Sequence, residues 1–279
     1  MSCLVKMRAV REELSSNEKK IADFILGNSA LIRDYSSQNL AASVGVSQSS
    51  IIKFSQKLNY RGFTDLKLAI HEAVVKSDND ELSDVNGQRV DDISNSIPEQ
   101  LYSVKTEALL TTMELNDEKR ILSAVEVLEN SHRIQIIALG AGSLVARNFA
   151  SMLIQIGKSV IAEVDTYMQL SSIATLGKGD AVFIISFSGQ AAKMIHMTQQ
   201  AKKAGVSIIS LTSYSANPIR SLADVQLFSV NREGRFEVPQ IISNASQQHV
   251  VDVLFSMMLK RDSKAKELLA LSRKAVDSL

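Results

Sequence analysis

The spacing of apolar residues changes along this chain of 279 residues, and that change constrains the fold most strongly. Residues 1–76 show helical spacing and almost no strand signal, with one apolar stripe formed by Ile21, Ala22, Phe24 and Ile25. Beyond residue 130, short apolar runs alternate with longer helical segments. Such alternation is typical of a parallel sheet covered by helices on both faces. The sequence therefore predicts an α/β protein, with an all-α N-terminal domain joined to a three-layer α/β/α domain.

Five apolar runs are predicted to form one parallel sheet. They are Arg133–Leu139, Ser159–Val164, Ala181–Ser186, Val206–Thr212 and Val225–Val230. Runs such as IQIIAL and AVFIIS are continuously apolar, as strands buried on both faces are. Helices are predicted on either side of the sheet, at Ile93–Met113, Asp117–Asn130, Gln240–Lys260 and Asp262–Leu279. The helix at Gln240–Lys260 carries an apolar stripe that core packing or a subunit interface explains equally well; its residues are Val250, Val253, Leu254, Met257 and Met258.

The net charge of +1 at pH 7 by itself argues against a nucleic-acid partner, but the charge is unevenly distributed. Residues 1–76 have a net charge of +4, residues 77–106 of −5 and residues 107–279 of +2. No acidic residue occurs between Tyr35 and Thr64, a stretch that contains three basic residues. This local field fits a phosphate backbone, although a solvated helix face has the same composition. The polar stretch Ser77–Gly87 predicts a linker, so we divide the chain into residues 1–76, a linker and connecting helix at 77–106, and residues 107–279.

Composition excludes several other classes of protein. The single cysteine, Cys3, cannot form an intrachain disulfide. No apolar run approaches the ~18 residues that a membrane helix needs, so we expect no membrane partner. Lys6, Arg8 and Arg11 interrupt the apolar residues at the start of the chain, so we expect no signal peptide. We therefore expect a cytoplasmic location. The four histidines show no metal-ligand spacing, and neither a metal ion nor a cofactor is expected.

Two helices in the basic head are predicted to form a helix-turn-helix. The first begins near Ser36 or Ser37 and ends at Val44-Gly45, and Ser47 caps the second, Gln48 to Leu58. The preceding helix is assigned Ser16 as its cap, with Lys19 instead of glutamate at the capping-box position.

The second helix of this motif would lie in the major groove with its N-terminal residues at the base edges. The predicted DNA-contacting residues are Ser47, Gln48, Ser49, Ser50, Lys53, Lys57 and Arg61. Glutamine can contact adenine at two positions, and serine can donate or accept. Lys57 and Arg61 are expected to contact phosphates, which position the protein without specifying sequence. An ordinary three-helix bundle explains the same spacing.

Ligands of parallel α/β sheets bind at the carboxyl ends of the strands, so the residues after each run are candidates for a binding site. Gly140-Ala141-Gly142-Ser143 follows the first run and suggests a dinucleotide turn, but Val145 stands where that motif requires a small residue. Ser186-Phe187-Ser188-Gly189-Gln190 follows the third run and opens a helix, and Thr212-Ser213 follows the fourth. Hydroxyls beside helix N-termini favour an anionic ligand, so we expect a phosphorylated polyol here, although serines that merely cap helices give the same pattern.

The head resembles the helix-turn-helix domain of RpiR-family transcription regulators over about residues 4–75, through KIADFIL and KLNYRGFTDLKLA. That family usually has glycine where Asn59 stands. The body, about residues 120–262, is similar to a sugar isomerase (SIS) domain through GAGS, SFSGQ, ISLTS and NPIRSLADVQLFS. EVDTYMQ and SQSSIIKFSQKL are similar to N-acetylmuramic acid 6-phosphate-type repressors.

The resemblance implies that the SFSGQ loop cradles the phosphate of a phosphosugar, with Ser143 and Ser213 contributing from neighbouring loops. The predicted effector-binding residues are Gly142, Ser143, Glu163, Asp165, Ser186, Ser188, Gly189, Gln190, Lys193, Thr212 and Ser213. Glu163 and Asp165 are assigned to sugar recognition, although Asp165 can equally be a helix cap. The family commonly has Glu-Thr where Gln190-Ala191 stand, and Lys193 is our hypothesis for the replacement of the missing hydroxyl.

Isomerisation would need a base beside the sugar carbons. The candidates Glu163, Glu237, His196 and His249 show no marked pairing. We therefore expect a regulator and not an enzyme. Specifically, we expect a repressor of sugar or amino-sugar catabolism genes, which dissociates from operator DNA when a phosphosugar binds. A phosphosugar isomerase with an accessory helical domain is the alternative. Symmetric half-sites imply a homodimer or tetramer.

Overall fold

The computed structural model describes residues 3–29, 31–80, 96–230 and 240–278, and the chain divides into two compact units. The first unit is Met1–Thr106 and the second is Glu107–Leu279. Of the predicted acidic linker, residues 81–95 lie outside the described part of the chain.

The first unit is helical, as its periodicity predicts. Its helices are α1 Cys3–Val10, α2 Ser16–Gly27, α3 Ser37–Val44, α4 Gln48–Lys57 and α5 Phe63–Asp80, with 3₁₀ turns at Arg11–Glu13 and Ile32–Asp34. The helices bury one apolar face each around a common core, which includes Met7, Ile21, Ile25, Leu40, Ile51, Phe54, Leu66 and Ile70. Because α5 continues to Asp80, the first residues of the acidic stretch that begins at Ser77 are helical. The linker boundaries stay a prediction.

The cap of α2 differs from the prediction by one residue. Ser15, not Ser16, is the N-cap, and it forms a capping box with Glu18. The Ser15 backbone N–H donates to Glu18 Oε2 at 2.8 Å. Moving the cap by one residue replaces Lys19 with Glu18 at the third helical position, so the start of α2 satisfies two backbone donors that an imperfect cap would leave open.

Helix α6, Ile97–Leu115, precedes a regular α/β unit. That unit contains α7 Glu118–Asn130, β1 Arg133–Ala138, α8 Gly142–Gln155, β2 Ser159–Ile161, α9 Thr166–Ile173, β3 Ala181–Ile185, α10 Ala192–Ala204, β4 Ser207–Thr212, α11 Pro218–Leu222, β5 Val225–Phe228, α12 Gln240–Arg261 and α13 Ser263–Val276. The strands form one parallel sheet in the order β2-β1-β3-β4-β5. All five predicted strands are confirmed, each within its predicted run.

Alternate residues of the strands pack on opposite faces, which produces two apolar cores. Ile136 and Phe183 point into the core covered by α7, α8 and α12, where Phe149 of α8 meets Phe183 edge-to-face at 5.3 Å between centroids. Ile137 and Ile184 point into the second core, against residues of α9, α10 and α11. The predicted three-layer α/β/α architecture is confirmed.

The apolar stripe of α12 belongs to the first of these cores. Val250, Leu254 and Met258 are buried there, and Val253 and Met257 pack against its edge. Core packing within the chain therefore accounts for the stripe.

At the amino-terminal edge of the sheet, Asp180 joins β1 to the turn before β3. Its carboxylate accepts hydrogen bonds from Arg133 Nη2 at 2.7 Å and from the Gly177 backbone N–H at 3.0 Å. The hydrogen bond from Arg133 lowers the pKa of the Asp180 carboxyl below its usual value of 3.8, against the opposing effect of burial.

Within the described ranges, no helix combines the length and the apolar character needed to cross a bilayer.

Candidate functional site

Helices α3 and α4 are joined by a short turn whose ends are fixed by capping residues. Ser36 Oγ accepts a hydrogen bond from the Asn39 backbone N–H at 3.0 Å at the start of α3. Gly45 ends α3 with a φ of 73°, in the left-handed region that glycine adopts without steric cost. Ser47 Oγ then accepts from the Ser50 backbone N–H at 3.2 Å to begin α4. The predicted helix-turn-helix boundaries are confirmed to within one residue.

The conformation at the end of α4 explains how asparagine can stand at position 59, where the resembled family usually has glycine. This residue has a φ of 67°, in the left-handed region, and its N–H donates to the Gln56 carbonyl at 2.9 Å. Asparagine tolerates that conformation better than most residues with a side chain. Asn59 therefore preserves the helix end at the position where the resembled family usually has glycine.

The N-terminal end of α4 presents a network of exposed polar side chains. Ser47 Oγ lies 2.8 Å from Ser49 Oγ and 2.8 Å from Ser50 Oγ. Gln48 Nε2 donates to Ser37 Oγ on α3 at 2.8 Å. These contacts hold the predicted base-reading side chains of α4 and the start of α3 in one cluster.

The basic residues predicted to contact DNA differ in their surroundings. Lys53 is exposed on α4. Lys57 Nζ forms an ion pair with Glu18 Oε2 at 2.9 Å, so a phosphate contact from Lys57 would have to replace this partner. Burial acts to raise the pKa of Glu18, but hydrogen bonds from Lys57 and Ser15 outweigh it and lower the pKa. Arg61 is an exposed residue whose backbone N–H donates to the Asp65 carboxylate at 3.0 Å.

Two residues of the exposed face of α4 were missed in the sequence. Ile52 is 38% exposed and Gln56 is also exposed. Ile52 lies three residues after Ser49, and Gln56 lies four residues after Ile52, so all three lie on the same side of the helix. The helical phase set by buried Ile51 and Phe54 was the signal that could have identified them.

The carboxyl ends of the strands carry the second candidate site. Helices α8 and α10 begin at this edge, and their N-cap residues are Ala141 and Ala191, whose methyl groups cannot accept a hydrogen bond. The first N–H groups of a helix have no partner within the helix itself. At α9, by contrast, the Asp165 carboxylate accepts from the Met168 backbone N–H at 2.9 Å. In α8 the Ser143 and Leu144 N–H groups already donate to the Gly140 and Ala141 carbonyls, so the first turn of α10 is the place where a bound anion can supply a missing acceptor.

The loop after β1 brings Gly142 and Ser143 to this edge. Ser143 Oγ donates to the Gly140 carbonyl at 2.7 Å, which leaves the lone pairs of the hydroxyl free to accept. A Cβ built on Gly142 would lie 3.8 Å from the Ile185 carbonyl oxygen, so this loop is adjacent to the end of β3.

The loop after β3 folds back on its own backbone. Ser186 Oγ accepts from the Gly189 N–H at 3.2 Å, and Ser188 Oγ accepts from the Gln190 N–H at 3.3 Å. Gly189 has a φ of 69°, and a Cβ at this position would lie 2.0 Å from Asn217 Oδ1. The loop therefore requires glycine for two reasons: its backbone conformation and the approach of Asn217. Gln190 and Lys193 are exposed, and Lys193 lies in the first turn of α10.

The loop after β4 lies against the loop after β3. The Ser213 N–H donates to the Phe187 carbonyl at 3.2 Å, and Ser213 Oγ lies 2.9 Å from Ser215 Oγ. Thr212 is buried, with its hydroxyl donating to the Ser213 carbonyl and accepting from Asn217 Nδ2. Thr212 therefore supports the loop from within.

The loop after β2 holds the remaining predicted effector residues, Glu163 and Asp165, both exposed. Because Asp165 caps α9, the helix-cap interpretation of this residue is confirmed. Buried Gln169 ties this loop to the sheet, since its Nε2 donates to the Val164 carbonyl at 3.3 Å and to the Ala138 carbonyl at 3.1 Å.

Two of the candidate bases for sugar isomerisation, His196 and His249, lie on different helices. His196 is exposed on α10. His249 on α12 has a buried Nε2 for which the described residues supply no hydrogen-bond partner, and Glu237 lies outside the described residues. The described part of the chain contains no group of three or more histidine, cysteine, aspartate or glutamate side chains placed to hold a metal ion.

Comparison with known proteins matches both units. Residues 1–77 match the helix-turn-helix domain of the rpiR family, and residues 127–257 match the SIS domain. The structure is similar to that of the Vibrio vulnificus NanR protein complexed with ManNAc-6P, at 25% identity, 99% coverage of this chain, 98% coverage of that chain and a TM-score of 0.62. It shares its fold with the sugar isomerase domain of an RpiR transcription factor from Sphaerobacter thermophilus, at 22% identity, a TM-score of 0.58 and coverage of 66% and 99%. A sugar-phosphate isomerase-like protein from Listeria monocytogenes also shares the fold, at 18% identity, a TM-score of 0.56 and coverage of 62% and 92%.

A helix-turn-helix domain joined to a SIS domain defines a class of transcriptional regulators in which one unit binds DNA and the other is a sensor. In this chain the N-terminal domain is an rpiR-family helix-turn-helix and the C-terminal domain is a SIS domain.

Proposed function

We propose that this protein represses genes of sugar or amino-sugar catabolism, and that a phosphosugar bound by the SIS domain lowers its affinity for operator DNA. The observation that carries the proposal is the presence of both domains in one chain, aligned over nearly its whole length with NanR, which is complexed with ManNAc-6P. A binding module is sufficient for this role, because a ligand shifts an equilibrium through its differential affinity for two states.

The proposed DNA-binding surface is the exposed end of α4. Gln48, Ser49 and Ser50 would meet base edges, and Lys53 is exposed one turn further along α4. Lys57 and Arg61 would contact phosphates, with Lys57 exchanging Glu18 for the DNA backbone. Because operators with two half-sites match the two-fold symmetry of their protein, the active form would be a homodimer or a tetramer.

The proposed effector site is formed by the loops that follow β1, β3 and β4. The first-turn N–H groups of α10 would donate to phosphate oxygens, as helix N-termini do in other phosphate sites. Ser188 and Ser213 would add hydroxyl donors, whereas the Ser143 hydroxyl, which donates to the Gly140 carbonyl, would have to exchange that partner for the phosphate. Ser186 would hold the loop after β3 in shape through its bond to Gly189. Lys193 would supply a positive charge in place of the hydroxyl absent at Ala191. Glu163 would contact the sugar from the neighbouring loop.

The proposed test joins ligand binding to DNA binding in the full chain. Thermal-shift screening of sugar phosphates, ManNAc-6P and N-acetylmuramic acid 6-phosphate included, should identify a ligand that stabilises the protein by about 2.7 kcal/mol at ~100-fold above its Kd. Ser188→Ala should weaken binding of that ligand. Ser123→Ala should leave binding unchanged, because Ser123 Oγ donates to the Lys119 carbonyl of its own helix. Turnover of the ligand to an isomeric sugar phosphate would support the isomerase alternative instead.

A further inference from the structure

Asn217 is the first residue of the NPIRSLADVQLFS stretch, but neither the sequence motifs nor the family comparison assigns it a role. It is 4% exposed and precedes α11 in a short segment after β4. Its Oδ1 accepts from the Arg220 backbone N–H at 2.8 Å, which makes it the N-cap of α11. An N-cap needs only one acceptor atom, so this contact does not account for the remaining contacts of the amide.

The Nδ2 atom of Asn217 binds the loop after β4. It donates to Thr212 Oγ1 at 3.2 Å and to the Ser215 carbonyl at 3.0 Å. These two bonds join the last residue of β4 to the far side of the loop that carries Ser213. The conformation of that loop therefore depends on two amide donors: an ionised aspartate at this position has none, and serine has a single hydroxyl donor on a shorter side chain.

The same side chain fills the space beside the loop after β3. A Cβ on Gly189 would meet three atoms of Asn217, at 2.0, 2.3 and 2.8 Å. The close approach places the amide directly against the backbone of the SFSGQ turn. One buried side chain thus contacts the proposed phosphate loop and fixes the neighbouring hydroxyl loop.

We infer that Asn217 is a positioning residue for the effector: it sets the spacing between the Ser186–Gln190 loop and the Ser213–Ser215 loop so that both can contact one phosphosugar. This inference rests on the proposed function. Asn217 is buried behind the loops and acts through them, since its polar atoms are already engaged.

Two substitutions separate positioning from capping. Asn217→Ser keeps a good N-cap for α11 but removes the Nδ2 donor and the bulk beside Gly189, whereas Asn217→Ala removes the cap as well. Asn217→Ser is expected to raise the Kd of the phosphosugar at least tenfold while leaving the thermal midpoint close to that of the wild-type protein. Asn217→Ala is expected to lower the midpoint and raise the Kd.

The experiment measures effector Kd by isothermal titration calorimetry on the full chain, with ManNAc-6P as the first probe and the best ligand of the sugar-phosphate screen as the second. Asn217→Asp is a further control, because it keeps the size and the cap but has no amide donor for the Ser215 carbonyl. A higher Kd for the phosphosugar is expected for this variant also. If Asn217→Ser and Asn217→Asp bind as tightly as the wild-type protein, Asn217 is only a helix cap and the inference is wrong. If the wild-type protein binds no sugar phosphate, the proposed function fails, whatever the variants do.

Discussion

Replacement of Gly189 by alanine tests the geometry of the proposed phosphate loop most severely. The glycine has a φ of 69°, and its missing Cβ would overlap Asn217 Oδ1 at 2.0 Å. An L-residue in the left-handed region costs about 1–2 kcal/mol. Displacing Asn217 would also weaken the cap of α11, which is worth about 0.5–2 kcal/mol. We therefore expect Gly189→Ala to destabilise the SIS domain by about 1.5–4 kcal/mol.

Gly205 provides a matched control in the same domain. Its φ is 72°, nearly that of Gly189, but a Cβ there would meet no described atom within 4 Å. Gly205→Ala should therefore cost only the conformational term of about 1–2 kcal/mol. For a domain of this size, each kcal/mol lowers the midpoint by about 2–4 °C, so the two variants should differ clearly in thermal unfolding.

The assay is calorimetric unfolding of the full chain, in which the transition of the SIS domain is followed separately from that of the helical unit. Gly189→Ala should cost less in the Asn217→Ala background than in the wild-type protein, because alanine at position 217 has none of the three atoms that a Cβ on residue 189 would meet, and two contacting positions are not additive. Equal midpoints for Gly189→Ala and Gly205→Ala would refute the close approach of Asn217 and the loop geometry derived from it.

Three further outcomes follow from individual contacts. Arg61→Ala should weaken operator binding and reduce the slope of log K against log salt by about 0.9 for one lost phosphate contact, whereas Lys20→Ala, also exposed in the helical unit, should leave the slope unchanged. Asp165→Ala should lower the stability of the SIS domain by about 0.5–2 kcal/mol in denaturant titrations, because the cap of α9 is lost, and an unchanged midpoint would contradict that role. Asp180 has a pKa lowered in the folded state, so its contribution to stability is fully present above its usual value of 3.8 and is lost as the pH falls through the folded value. Asp180→Asn should therefore flatten the acid side of the stability–pH curve, and a curve of wild-type shape would argue against the pair with Arg133.

Most of the fold could be predicted from the sequence, because the positions that are buried in a helix or strand recur at the spacing of that element and are occupied by apolar residues. The continuous apolar character of β3 reflects burial of all five of its residues between two helical layers. The ends of elements were harder to place, since Ser15 and Ser16 are chemically identical and only the geometry shows which of them pairs with Glu18.

The candidate sites could be predicted only as far as local patterns reach. Gly189 belongs to a visible turn motif, but the partner that requires it, Asn217, lies 28 residues further along the chain. The pair between Lys57 and Glu18 likewise joins residues 39 positions apart. Such contacts depend on how the helices and loops pack, so composition and spacing do not predict them.

The central claim of the account is that a phosphosugar controls DNA binding by this chain. The most direct measurement is fluorescence anisotropy of a labelled duplex, selected by this protein from a random library, titrated with each sugar phosphate that stabilises the protein. The account predicts that one such ligand lowers the affinity for the duplex and that Ser188→Ala removes this response without weakening DNA binding itself. Unchanged DNA affinity with every stabilising sugar phosphate, or tighter binding in the presence of the ligand, would contradict it.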